Sequence, residues 1–207
     1  ENLNNVPSAI SHDVYMHCSY DVSENKHWIK KALNQVIRRH LLLEGWTDRD
    51  VAKLGEYNGK PVMVVLLEHF HSSHSIYRTH STSLIAARDH FHLIGVGSDA
   101  VDDAGRTVFD EFYLLDGSSI FDKLNKLKSI CEKNGAAVLY MPSIGMDLTT
   151  IFASNTRLAP VQVIALGHPA TTHSDFIEYV IVEDDYVGSE KCFSEQLLRL
   201  PKDALPY

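Results

Sequence analysis

Cysteine is scarce in this chain of 207 residues. Cys18, Cys131 and Cys192 are odd in number, far apart and never paired as CxxC. That excludes a disulfide framework and fits reduced thiols, each read as a small buried apolar residue. No apolar run approaches the roughly 18 residues that a membrane helix needs. The start, Glu1-Asn2-Leu3-Asn4-Asn5, lacks the basic region and apolar block of a signal peptide. Clustered Lys and Arg are also missing, and the net charge is −8. A phosphate-binding surface needs such clusters, so nucleic acid is excluded as a partner. Nucleotide fingerprints are absent as well. Gly95-Val96-Gly97-Ser98 lacks the third glycine of GxGxxG and reads as a turn, and no P-loop motif exists. The chain is therefore not expected to hold a nucleotide by itself. It shows no internal repeat and no low-complexity tract.

What is present is an alternation of elements. Residues 61–67, Pro-Val-Met-Val-Val-Leu-Leu, form the continuous apolar run of a strand covered on both faces. Asn58-Gly59 is a turn signal before it. Residues 92–97, 111–115, 136–140, 161–166 and 179–182 read as further strands, and residues 14–19 as a short one. Helices are expected after Ser23, with Ile29, Leu33, Val36 and His40 on one face, and over 82–91. Ser118 or Ser119 should cap a helix carrying Ile120, Leu124, Leu127 and Cys131, stopped by a left-handed Gly135. Strands alternating with helices imply right-handed crossovers. The expected fold is α/β, one Rossmann-like, mostly parallel sheet with helices on both faces. The acidic residues 182–186 read as a solvated strand exit. Residues 200–207 read as linker, and with no initiator Met the chain is expected to be an excised domain.

Four histidines follow the 61–67 strand: His69, His71, His74 and His80. Ligands bind beyond the carboxyl ends of such strands, and histidine can act as a base near neutral pH. Two other loops should share that edge: 141–147, and Gly167-His168-Pro169-Ala170-Thr171-Thr172-His173-Ser174. If a helix starts near Thr171, its N–H groups and the hydroxyls of Thr171 and Thr172 suit phosphate oxygens; alternatively one threonine merely caps it. Zinc held by His69, His71 and His74 is another possibility, though the spacing matches no standard motif. Glu68 is the one nearby candidate for a fourth ligand. Any single histidine of the loop can equally serve a loop carbonyl.

Three segments also resemble the soluble bacterial N-glycosyltransferases that modify high-molecular-weight adhesins, a family that includes O-GlcNAc transferase. They are Glu68 through Ser83, Tyr140-Met141-Pro142-Ser143-Ile144-Gly145-Met146-Asp147, and Ala165 through Ser174. The likeness continues from Tyr179 to Tyr207 and covers essentially the whole chain. The resemblance implies that residues 1–207 are a single N-terminal, acceptor-side GT-B domain, with a preceding helical domain and a following UDP-binding domain absent. It implies inverting transfer of glucose or galactose from a UDP-sugar to Asn in Asn-X-Ser/Thr sequons of cytoplasmic polypeptides. No metal, other cofactor or lipid carrier is implied. By similarity His74 is the base or acceptor-positioning group, with His69 beside it. His168 lies on the donor-phosphate side with Gly167, Thr171 and Thr172. His12, Tyr20 and Ser143 line the acceptor pocket. The implied partners are the UDP-binding domain and a sequon-bearing polypeptide, and the domain alone should be nearly inactive. A non-catalytic sequon-binding module and a His-ligated zinc hydrolase are the rival readings.

Overall fold

The computed structural model describes residues 8–165 and 171–204. Strands β1 (Glu56–Tyr57), β2 (Lys60–Leu67), β3 (His92–Gly97) and β4 (Glu111–Leu114) are followed by β5 (Val138–Met141), β6 (Val161–Ala165), β7 (Tyr179–Glu183) and β8 (Gln196–Leu200). The helices are α1 (Ser8–His17), α2 (Ile29–Leu43), α3 (Ser75–Ala87), α4 (Asp103–Arg106), α5 (Ile120–Asn134) and α6 (Leu148–Ala153). The sheet order is β4-β3-β2-β5-β6-β7-β8, and every neighbouring pair along it is parallel. β1 adds to β2 as an antiparallel hairpin around Asn58 and Gly59, both at positive φ. From β2 the chain winds outward to β4, then returns to the other side of β2 and winds the opposite way. The order reverses between β2 and β5, and the loops leaving those two strands flank that point.

Side chains alternate along β2 as a pleated strand requires. Val62, Val64 and Leu66 pack with Ile37 and Leu41 of α2, Leu124 and Leu127 of α5, and Tyr15 of α1. Val65 and Leu67 pack on the opposite face with Leu84 of α3, Val101 and Phe109. Helices therefore cover both faces, as expected for this class. Ser119 caps α5 in a capping box with Asp122, and Gly135 stops it in the left-handed region (φ 61°).

Several expectations fail for physical reasons. Residues 14–19 are not a strand: α1 runs to His17 and a 3-10 turn follows over Cys18–Tyr20. His12, Tyr15 and Met16 share one face at helical spacing and meet the loop after β5. In α2 the buried stripe is Lys30, Asn34, Ile37 and Leu41, one position on from the expected one, because two polar side chains lie inward. The third helix begins at Ser75, where His74 caps it, and ends at Ala87 rather than spanning 82–91. Gly95 and Gly97 are not a turn. They lie inside β3, where a Cβ on Gly95 would sit 2.5 Å from the Phe109 ring. Residues 196–200 form an edge strand that sequence reading did not identify, and of the expected linker 200–207 only Leu200 belongs to it. Glu183 is buried, whereas Asp184 pairs with Arg199 at the surface. Only Cys131 is a buried apolar thiol; Cys18 is half-buried and Cys192 exposed.

Candidate functional site

The loops leaving β2 and β5 are joined by one carboxylate. Glu68, 4% exposed, follows directly on β2. Its Oε1 accepts from the amides of Gly145 (2.8 Å) and Asp147 (2.9 Å) and from the Thr150 hydroxyl (2.5 Å). Burial raises the Glu68 pKa, and these donors oppose the rise. Asp147 in turn caps α6 by accepting from the Thr149 amide.

The histidines stand beside this junction. Phe70, fully buried, pins the loop to the core between half-buried His69 and His71. The His74 ring lies 5.6 Å from that of His69 and 5.2 Å from that of His71, centroid to centroid. His71 Nδ1 meets the Ser73 hydroxyl at 2.9 Å, and Asp102 accepts from the Ser72 amide. His74 is the N-cap of α3, where its Nδ1 accepts from the Ile76 amide at 3.3 Å. Burial lowers its pKa, and the neighbouring His69, His71 and Arg78 lower it further. Its position at a helix N-terminus acts in the same sense. A neutral imidazole whose Nδ1 accepts carries its proton on Nε2, so His74 presents an N–H donor outward. His80 belongs to the core: it is buried against Tyr140, which it meets at 3.4 Å, and burial pushes its pKa down to about 4. Among the described residues no group of three His, Cys, Asp or Glu side chains is arranged to hold a metal.

On the acceptor side, His12 on α1 reaches the Met146 carbonyl at 3.2 Å and so joins the loop after β5. Gly145 has φ 111°, and a Cβ there would sit 2.6 Å from Met16 Sδ, so the loop is pressed against α1 as only glycine allows. Ser143 is buried in that loop, and its hydroxyl meets no hydrogen-bond partner among the described residues. Tyr20 is 71% exposed and stacks on His17, outside the cluster.

Gly167 and His168 lie outside the described residues. Thr171 and Thr172 are described, and they depart from expectation. No helix starts there, and both side chains are fully buried. Both hydroxyls donate to Glu195, which also accepts from the Thr172 amide at 2.8 Å. Lys30 Nζ donates to the Thr171 carbonyl at 2.6 Å, and Asn34 to the Thr172 carbonyl at 2.9 Å. These threonine hydroxyls anchor the end of the third loop by donating to Glu195.

The family model "HMW1 domain 2" matches residues 1–41. Over its full length the chain is 76% identical to the UDP-glucose:protein N-beta-glucosyltransferase of Actinobacillus pleuropneumoniae serotype 5b (strain L20). The identity to the serotype 7 (strain AP76) protein of that name is also 76%. The chain is thus similar over its whole length to one part of these two proteins. It spans 34% of the length of these two relatives. Among solved structures, a Thermobaculum terrenum O-GlcNAc transferase mutant superposes with a TM-score of 0.67 at 17% identity, covering 99% of this chain and 40% of that one. That match shows the fold, a Rossmann-like half of a GT-B pair.

Sequence reasoning missed the residues that connect the loops. Glu68 reads from the sequence only as a candidate fourth ligand to zinc, and in the structure it bonds the loop after β5. Lys30 and Asn34 lie on what patterning treats as the solvent face of α2. The signal for Glu68 was a carboxylate directly after a fully buried strand, which must find donors or stay neutral.

Proposed function

We propose that the chain is the acceptor-side half of an inverting N-glycosyltransferase. It would move glucose, or galactose, from a UDP-sugar to the side-chain nitrogen of Asn in Asn-X-Ser/Thr sequons of cytoplasmic polypeptides such as adhesins. The full-length 76% identity to two glucosyltransferases carries this reading. The cleft would be completed by the UDP-binding domain, and the reaction would need no metal and no other cofactor. No helix among the described residues is long and apolar enough to cross a membrane.

The geometry supports a particular division of labour. An amide nitrogen is a poor nucleophile because its lone pair is delocalised into the carbonyl. A neutral His74 donating from Nε2 suits holding and polarising an acceptor carbonyl or a sugar oxygen better than removing a proton. His69 and His71 flank it within one ring's reach. His12, on α1, borders the same rim through the Met146 carbonyl. Gly167 and His168 would face the donor phosphates.

The test is a chimera in which this chain replaces the matching third of the Actinobacillus enzyme. With UDP-glucose and a sequon peptide it should add one hexose to the peptide, read by intact mass, and chelators should not slow it. His74→Ala should then depress the rate by roughly 10²–10³-fold. No product from a folded chimera would overturn the reading. Peptide binding without transfer would make the chain a sequon-binding module, and transfer lost on chelation would revive a metal role.

A further inference from the structure

The loop after β5 is held from two sides. Helix α1 presses on Gly145 through Met16 and Tyr15, and His12 touches Met146. From the other side, one oxygen of Glu68 takes three donors from Gly145, Asp147 and Thr150. The remaining oxygen, Oε2, is buried and meets no hydrogen-bond partner among the described residues, and the same holds for the Ser143 hydroxyl and the Tyr15 hydroxyl. The Ser143 hydroxyl still lies near enough to Glu68 to favour its charged form. Burying a carboxylate is costly unless donors surround it, and here the donors come from the 142–147 loop and the first turn of α6. A loop held by backbone packing alone would not need it. The arrangement is explained if the clamp exists to fix where the loop sits relative to the histidines, across the point at which strand order reverses.

We infer that Glu68 is a positioning residue: its carboxylate latches the 142–147 loop to the histidine loop and so sets the distance between the acceptor-side residues Ser143 and His12 and the donor His74. This rests on the glycosyltransferase reading. Glu68 touches no reacting atom; it acts through the Gly145 and Asp147 amides. Without it the Asp147 amide loses its acceptor, the Gly145 amide keeps only the Thr150 hydroxyl oxygen at 3.2 Å, and the loop shifts. Displacements of about 1 Å from the productive geometry cost on the order of a hundredfold in rate.

The experiment uses the chimera described above with Glu68→Ala, Glu68→Gln and Thr150→Val. Glu68→Ala should lower kcat on the order of a hundredfold while KM for UDP-glucose moves less than about twofold. It should also speed hydrogen exchange at the Gly145 and Asp147 amides by at least about tenfold while other protected amides stay slow. Glu68→Gln keeps an accepting oxygen and should restore kcat to within about threefold, because a neutral acceptor still holds both amides. Thr150→Val removes one donor to Glu68 and the second acceptor of the Gly145 amide, and should fall between. If the alanine variant does not fold, the glutamine and valine variants carry the test, and equal kcat and exchange in wild type and Thr150→Val then overturn the latch. A folded Glu68→Ala protein with wild-type kcat and unchanged exchange at Gly145 and Asp147 overturns it directly. The two readings fail separately. A wild-type chimera that transfers no sugar refutes the function and leaves the exchange result to judge the latch, whereas an active chimera indifferent to Glu68→Ala refutes the latch alone.

Discussion

Lys30 should make the stability of this fold rise with pH. Its side chain is fully buried, with Nζ 4.6 Å from the Tyr15 ring centroid and donating to the Thr171 carbonyl. Burial lowers its pKa to about 8, against weaker opposing pulls from Cys18 and Glu195. The unfolded chain keeps an ordinary lysine near 10.4. Between those values the unfolded state binds more protons than the folded one, so stability increases as pH rises through the window. From pH 7 to pH 9 the gain from this group is about 1 kcal/mol, nearly one pKa unit's worth. Other groups titrate over the same range, so the comparison must be with Lys30→Met. The substitution has two opposed static effects: it leaves the Thr171 carbonyl without its donor, and it removes a desolvated charge. The pH slope does not share that ambiguity. Urea unfolding of both proteins at pH 7 and pH 9 should show wild type gaining about 1 kcal/mol on the variant. Parallel behaviour would mean that Lys30 stays solvated enough to keep a normal pKa, and the buried contact with Thr171 would be wrong.

Gly145→Ala should destabilise by about 2–3 kcal/mol, since it combines a positive φ with a Cβ against Met16, and the urea midpoint should drop without a change in slope. Glu195→Ala should cost more, about 3 kcal/mol or above, because it leaves the Thr172 amide and hydroxyl without their acceptor in the core and the Thr171 hydroxyl with Ser194 alone; a melting temperature within error of wild type would refute that network.

The sheet was legible because its strands are buried on both faces and so announce themselves as continuous apolar runs, β2 and β3 above all. The α5 caps were legible for the same kind of local reason: Ser119 and Gly135 act within four residues of themselves. What patterning could not show are polar residues whose partners are distant in sequence. Lys30 and Asn34 bond carbonyls 141 and 138 positions away, and Glu68 bonds amides 77 and 79 positions away. A lysine on a helix is normally evidence of a wet face, and here it shifted the expected stripe of α2 by one residue. Residues 14–19 misled in the reverse direction. Val14, Tyr15 and Met16 have strand-like composition, yet Tyr15 is drawn under α2 and into the core, and that packing outweighs intrinsic preference. The convergence of the first two loops followed from parallel topology alone, and the structure places them in contact through Glu68.

The chemistry of the rim turns on which nitrogen of His74 is free. Had the ring been oriented by a carboxylate at Nδ1, Nε2 would have become a basic acceptor, as in a hydrolytic triad. Here the Ile76 amide occupies Nδ1 instead, and a helix N-terminus, two imidazoles and Arg78 surround it. A second proton would turn Nδ1–H toward an N–H donor, so every nearby group opposes the imidazolium. A strong base would need the opposite surroundings. The same features that make His74 a poor proton acceptor make it a dependable neutral donor across the physiological range. An acceptor amide would then gain nucleophilicity through how it is held, by twisting or by stabilisation of its developing charge. On this argument the pH–rate profile of the active chimera should show no acid limb from His74, and its place should be taken by loss of rate on breaking the geometry around it.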